Sequence, residues 1–326
     1  MVRRHTSGST GIPLEVFYTP DEVAFHSLLT LRSEWEVGVR PWHHVAVVDQ
    51  QLDRSRYRWI ERMGLLRKSY VGLQATPREQ IARLRQLRAD VLIGWGNALL
   101  VLAREARGVG GLTFKYVFST STPLPDAARD EVEEAFQARV FRRYDAWETF
   151  LIGWECERRD GWHIESDHLI LECLRDGEPT TGAGEVVVTN LDAFAMPIIR
   201  YGLGDIATRT EGACNCGRGF PRIRSLHGRS TEVIQLPDGR VLNVANQVVR
   251  QMEGVKQYRL VQETPIEYRL EVVPTAGFSS SELARVARQF NEQLGADLSL
   301  RVSLVDEVPT APGSYLASEV DRNPVS

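Results

Sequence analysis

Six consecutive residues near the start of the chain, Thr6, Ser7, Gly8, Ser9, Thr10 and Gly11, are all hydroxyl-bearing or glycine. Backbone N–H groups in such a loop can point at phosphate oxygens, and the hydroxyls add further donors. Alone, the run reads equally well as a flexible Ser/Gly-rich terminus. A second group of reactive types is Cys156, His163, Cys214 and Cys216. If the intervening turn is a hairpin centred between Arg159 and Asp160, Cys156 and His163 stand opposite each other, about 5 Å apart on one face. Three cysteines and one histidine make a normal closed zinc set, although this spacing is not that of the common zinc fingers. The alternative is a group of thiols beside a core histidine. Cys173 falls on an apolar strand and is left out of the set. There is no Ser-His-Asp signature for a protein nucleophile.

Several elements must position these groups. "YTPDEV" reads as a helix start: Thr19 caps, Pro20 takes the first helical position and Glu22 sits three after the threonine. "ATPREQ" repeats that grammar at Thr76, Pro77 and Glu79, and a third helix is predicted over 126–138. Between these helices lie the apolar runs "HVAVV", "DVLIG" and "KYVFS", which predict buried, mostly parallel strands. Beyond residue 150 strand follows strand, which predicts an antiparallel, barrel-like region. After "HGRS" (227–230) a hairpin, a helix near 245–252, strands at 257–263 and 267–273, a helix near 281–294 and a strand at 299–305 predict a small α+β domain.

The bulk numbers narrow the function classes. The 326 residues suit about two domains. With 39 basic and 43 acidic residues, the net charge of −4 is too balanced to argue for nucleic acid or an anionic membrane as partner. No apolar run is long enough to span a bilayer, and "MVRRHTSGST" lacks the apolar stretch of a secretory signal. A cytoplasmic protein is therefore expected, with its four cysteines as metal ligands or buried thiols.

Several further stretches occur in a particular order: "YDAWE" (144–148), "WECERRDGWHI", "VVVTNLDAFAMPIIRYGLGD" and "CNCGRGFPRIRSLHGRSTEVI". Together with the glycine loop, this set resembles the adenylate-forming ligase superfamily. Within it, the set is similar to the phenylacetate–CoA ligase family, which includes coenzyme F390 synthetases and capsule-locus homologues. The resemblance covers essentially the whole chain from Thr6. It implies an α/β fold: a large α/β domain (1–228) with a barrel-like subregion, and a small α+β domain (229–326).

The resemblance also implies roles. Thr6 to Gly11 would hold the ATP phosphates, Tyr144 would stack on adenine and Glu148 would help hold magnesium. An aromatic face and a carboxylate four residues apart suit a nucleotide with its metal. Asp205 would accept hydrogen bonds from both ribose hydroxyls, since a carboxylate is acceptor-only. Arg229 would sit at the hinge of the small domain and touch ribose or phosphate. Thr6, Glu148 and Arg229 are thereby brought nearest the reaction. Relatives show a similar Cys…His…Cys-x-Cys pattern, which supports structural zinc. Without these motifs, Tyr144 and Glu148 read as a packed tyrosine and a solvated acid.

Three departures from the family pattern stand out. Only five residues precede Thr6, where the family has a long leading segment, so the leading part of the usual large domain is expected to be missing. An exposed apolar face is then expected, covered by a homodimer contact or another partner. Ser314 stands where the superfamily has a lysine that bridges the carboxylate and the α-phosphate, and no lysine follows Lys256. Asp145 replaces the glycine usual after the adenine tyrosine, and Thr122 lies where an acid is common.

The expected reaction is AMP-forming activation of a carboxylic acid by Mg·ATP, with transfer to coenzyme A. Trp95, Trp147 and Trp154 suit either an aryl acid or a core. Two alternatives remain at this point: transfer to a non-CoA acceptor in a biosynthetic pathway, and a non-catalytic nucleotide- or acyl-binding remnant.

Overall fold

A computed structural model describes residues 1–5, 15–49, 58–73, 75–108, 110–229, 234–235, 241–242, 255–264, 267–274, 278–279, 281, 283, 285, 288, 299–306 and 320–322. The first half runs β1 (Val2–His5), β2 (Glu15–Tyr18), α1 (Pro20–Glu36), β3 (Val45–Asp49), α2 (Arg58–Arg62), β4 (Lys68–Gly72), α3 (Pro77–Leu87), β5 (Val91–Trp95), α4 (Gly96–Arg107), β6 (Tyr116–Thr120) and α5 (Asp126–Phe136). Strands β3, β5 and β6, which carry the apolar runs, pair in parallel, and β4, whose KSYVG is no apolar run, adds in parallel beside β3 at the sheet edge.

The predicted helix starts form as read. The Thr19 hydroxyl accepts from the Glu22 N–H at 3.1 Å, and the Glu22 carboxylate returns to the Thr19 N–H. Thr76 and Glu79 repeat the exchange at 3.3 and 2.8 Å. Each reciprocal pair satisfies two donors that a helix start leaves unbonded.

The middle of the chain adds β7 (Arg139–Ala146), β8 (Phe150–Glu155), β9 (Trp162–Ile164), β10 (Leu169–Arg175), β11 (Glu178–Pro179), β12 (Ala183–Asn190), β13 (Tyr201–Thr210) and β14 (Arg222–Arg229). β7 pairs in parallel with β6 and antiparallel with β8. Through it the antiparallel region continues the parallel one, giving a twelve-stranded sheet in the order β11-β10-β12-β13-β14-β9-β8-β7-β6-β5-β3-β4. Its last strand in the sequence, β14, ends at Arg229.

Burial follows the alternation. Ala46, Val48, Leu92, Val117 and Val140 face Leu84, Leu99, Leu102, Val132 and Phe136 of α3, α4 and α5. Val45, Val91, Ile93, Phe118 and Phe141 form a second cluster with Val39. α1 brings Leu29 onto Leu151, Trp154, Cys156 and Cys214.

The remaining strands pair among themselves. β15 (Ile234–Gln235) and β16 (Val241–Leu242) form the predicted hairpin. β17 (Val255–Gln262), β18 (Glu267–Pro274), β19 (Ser299–Leu304) and β20 (Val320–Arg322) make a sheet in the order β19-β18-β17-β20. Ser281, Leu283, Arg285 and Arg288 are helical, within the predicted span. The helix expected near 245–252 lies outside the described residues.

Among the described residues no helix is long and apolar enough to cross a membrane. Leu28, Trp35, Trp42, Trp59 and Met63 are large apolar side chains left exposed. Trp35 also borders a cavity of about 150 Å³ with Leu31, Val39, Pro41 and Leu66, none of which belongs to the sequence-predicted site.

Candidate functional site

In an α/β sheet, ligands collect beyond the carboxyl ends of the parallel strands. Here β5 ends at Trp95, β6 at Thr120 and β7 at Ala146, so the 144–148 stretch lies at that edge. Tyr144 is buried, and its hydroxyl donates to Asp205 Oδ2 at 2.7 Å across 61 residues of sequence. Asp205 on β13 is the backbone partner of Arg229 on β14. Three of the residues the resemblance singled out therefore come together. Glu148 is half-buried in the β7–β8 connection, four residues after Tyr144. The loop from Thr6 to Gly11 lies outside the described residues. The strands on either side of it, β1 and β2, pair antiparallel with His5 opposite Glu15. Ser314 also lies outside them.

The two unusual residues have structural partners. The Asp145 carboxylate accepts from the Thr120 hydroxyl, tying the end of β7 to the end of β6. The residue is partly accessible, but its carboxyl is turned inward, and burial pushes its pKa up. The Thr122 hydroxyl accepts from the Asn97 N–H at 3.1 Å and donates to Asn97 Oδ1 at 3.1 Å. It thereby caps α4, whose own N-cap residue Trp95 provides no side-chain bond. Gly96 is required there, because a Cβ would lie 2.6 Å from the Thr122 carbonyl oxygen. Trp154 is a core residue, tilted against His163 at 5.1 Å between ring centroids.

The ligand atoms of Cys156, His163, Cys214 and Cys216 all lie within 4.8 Å of one another. The hairpin that carries two of them differs in register from the sequence expectation. His163 stands opposite Trp154, not Cys156, with Glu155 opposite Trp162 and Gly153 opposite Ile164. The turn is displaced toward Arg158–Arg159, with Arg159 donating to the Cys156 carbonyl at 3.1 Å and adopting φ +56°. Gly161 follows at φ +84°, where a Cβ would lie 2.1 Å from the Ile223 carbonyl oxygen of β14. The shift is even, so Cys156 and His163 remain on one face as diagonal neighbours.

The donor set fits zinc. Tetrahedral zinc with Zn–S near 2.3 Å separates neighbouring sulfurs by about 3.8 Å. Cys156 and Cys214 sulfurs are 3.7 Å apart, and Cys216 Sγ is 3.4 Å from His163 Nε2. The Arg158 N–H points at Cys156 Sγ at 3.4 Å, as a donor does toward a thiolate. Burial, followed by Arg218 and Arg222, pushes His163 down to about 4, which leaves the imidazole neutral for a metal. Burial pushes Cys156 up to about 12, so a cation would be needed to hold its thiolate. Arg218, which sequence reading passed over, ties this knuckle to α1 through Glu36 at 2.6 Å and to Glu157 at 2.9 Å.

No protein-family model matches the chain. It is 26% identical to the phenylacetate-coenzyme A ligase of Thermus thermophilus, over 94% of this chain and 69% of that protein. With the Pseudomonas putida enzyme of the same name it shares 27% identity over 79% of this chain, spanning 61% of that enzyme. Among solved structures, 2-hydroxyisobutyryl-CoA ligase in its postadenylation state superposes with a TM-score of 0.71 at 19% identity, covering 98% of this chain and 73% of that one. An anthranilate CoA ligase in complex with anthranoyl-AMP gives 0.70 at 14% identity, covering 96% of this chain and 64% of that one. The fold is that of the adenylate-forming ligases. In sequence the chain is similar to the phenylacetate–coenzyme A ligases.

Proposed function

We propose that this chain activates a carboxylic acid with Mg·ATP and transfers the acyl group to coenzyme A. The observation that carries the reading is the direct bond from Tyr144 to Asp205, two residues 61 apart that the family motifs assign to one nucleotide. In this reading the Tyr144 ring packs on adenine and Asp205 accepts from the ribose hydroxyls. Thr6 to Gly11 hold the phosphates, and Arg229 contacts ribose or phosphate at the boundary between a large domain (1–228) and a small one (229–326).

The acid's carboxylate oxygen attacks the α-phosphorus, and the bond to the bridging oxygen of pyrophosphate breaks. The CoA thiolate then attacks the acyl carbon, and AMP leaves with the electron pair. The protein's contribution is positioning and charge. Glu148 would help hold the magnesium ion, which neutralises phosphate charge when bound. Cys156, His163, Cys214 and Cys216 would hold a structural zinc ion that ties the β8–β9 hairpin to the 214–218 knuckle. Four thiols outside any disulfide support a reducing, cytoplasmic setting. Exposed Trp35 and Trp42 support a second copy or another partner on that face.

The test is pyrophosphate release from Mg·ATP with a panel of aryl and alkyl acids, with and without CoA, run beside Ser314→Lys. Turnover by the natural chain that requires CoA is the expected result. Turnover independent of CoA points to another acceptor. No pyrophosphate from either protein, with any acid, overturns the reading in favour of a non-catalytic binding role.

A further inference from the structure

Glu148 sits in the tight connection between β7 and β8, where the Thr149 N–H returns to the Ala146 carbonyl at 3.2 Å. The carbonyls on both sides of Glu148 are held from outside this turn. The Tyr18 hydroxyl donates to the Trp147 carbonyl. His168 Nε2 donates to the Thr149 carbonyl at 2.9 Å. The other ring nitrogen, Nδ1, is held by Asp192 Oδ2 at 2.8 Å, which fixes the ring's orientation. A carbonyl oxygen and a carboxylate oxygen can only accept, so each ring nitrogen of His168 donates to the partner it faces.

Tyr18, His168 and Thr149 are all buried. Phe150, just after the turn, adopts φ +56°, a conformation such a residue keeps only when its surroundings enforce it. Those surroundings are aromatic. The Phe150 ring stacks on His26 at 3.9 Å between centroids and meets Tyr18 at 4.6 Å. Glu22, one turn into α1, accepts from the Phe194 and Ala195 N–H groups at 2.7 and 2.9 Å, just beyond Asp192. Tyr18 lies on β2, the strand that leaves the glycine loop. Burial first, then the nearby Glu148 and Glu22 carboxylates, pushes its phenol pKa up, so it remains a donor.

We propose that Tyr18 and the His168–Asp192 pair are positioning residues that fix the backbone on both sides of Glu148 and key its carboxylate to the strand leaving the glycine loop. This rests on reading Glu148 as the carboxylate that helps hold the magnesium of Mg·ATP. Tyr18 holds the Trp147–Glu148 peptide and His168 the Thr149–Phe150 peptide, so rotation of either would shift the turn that carries that carboxylate, and a misplacement of about 1 Å can cost on the order of a hundredfold in rate.

The test uses the full chain and a binding readout. Mn²⁺ binding in the presence of ATP is followed by electron paramagnetic resonance, and ATP binding in excess EDTA by calorimetry. Tyr18→Phe and His168→Ala are expected to weaken Mn²⁺ binding to the ATP complex at least tenfold while changing metal-free ATP affinity less than twofold. His168→Gln, whose amide can still donate to Thr149, is expected to recover most of the loss. Equal losses in both measurements, or Mn²⁺ affinity within twofold of the natural chain, overturn the proposal. If His168→Ala does not fold, Tyr18→Phe decides, since it removes one hydroxyl. Glu148→Gln separates the two layers. If it keeps full Mn²⁺ affinity, the reading of Glu148 fails and the proposal with it. If it loses affinity while Tyr18→Phe does not, only the positioning role fails.

Discussion

Asp205→Asn is expected to weaken ATP binding by a factor of about 10–100. Asp205 is nearly buried, and one of its oxygens already accepts from Tyr144 at 2.7 Å. An ionised carboxylate has acceptor capacity left for both ribose hydroxyls, whereas an amide has a single acceptor oxygen. In the variant, Tyr144 and the ribose compete for that oxygen, and the NH₂ group faces donors. Hydrogen bonds to charged groups contribute about 1.5–3 kcal/mol and neutral ones about 0.5–1.5 kcal/mol, so two ribose bonds weakened or lost come to roughly 1.5–3 kcal/mol. The assay is ATP titration by calorimetry, repeated with 2′-deoxy-ATP. If Asp205 receives the 2′-hydroxyl, the penalty of the substitution shrinks for the deoxy nucleotide. Tyr144→Phe keeps the ring and removes the donor, so its ATP affinity should fall less than that of Asp205→Asn. ATP affinity within threefold of the natural chain, or equal penalties for ATP and 2′-deoxy-ATP, would refute the ribose role.

Two further outcomes follow from the same structure. Protein purified without chelator should carry about one zinc per chain, and Cys214→Ser should lose it, with destabilisation on the order of several kcal/mol; well under one zinc per chain by metal analysis sinks the site. His26 is buried, both its ring nitrogens lack partners among the described residues, and burial followed by His168 pushes it down to about 3. The unfolded chain takes up this proton below about pH 6.5, so stability present above that pH declines toward pH 3 by up to about 1.4 kcal/mol per pH unit. His26→Phe should therefore flatten the fall of Tm between pH 6.5 and 4, and parallel curves for the two proteins would contradict the assignment.

Local grammar was legible wherever neighbours in sequence supply the partners. Thr19 with Glu22 and Thr76 with Glu79 close their capping boxes within four residues, and the parallel strands β3, β5 and β6 follow from their apolar runs, whereas β4, with KSYVG, carries no such signal. The β8–β9 hairpin shows where legibility stops. Alternation put Cys156 and His163 on one face, but the register depended on Arg159 and Gly161 taking positive φ under the approach of β14. Glu22 read only as a capping residue, and nothing near it in sequence announces that its second oxygen holds Phe194 and Ala195. Thr122 read as a departure in the nucleotide site, whereas its hydroxyl caps α4.

By itself the sequence determined the kind of elements, their order and the family likeness, because caps, alternation and motif order depend on short-range chemistry. Tertiary structure decided which distant side chains share a site. Tyr144 reaches Asp205, Cys214 reaches Cys156, and Tyr18 and His168 enclose Glu148 only once the twelve-stranded sheet has set its strand order. Such pairings depend on strand order and register across the sheet, and no local propensity encodes either.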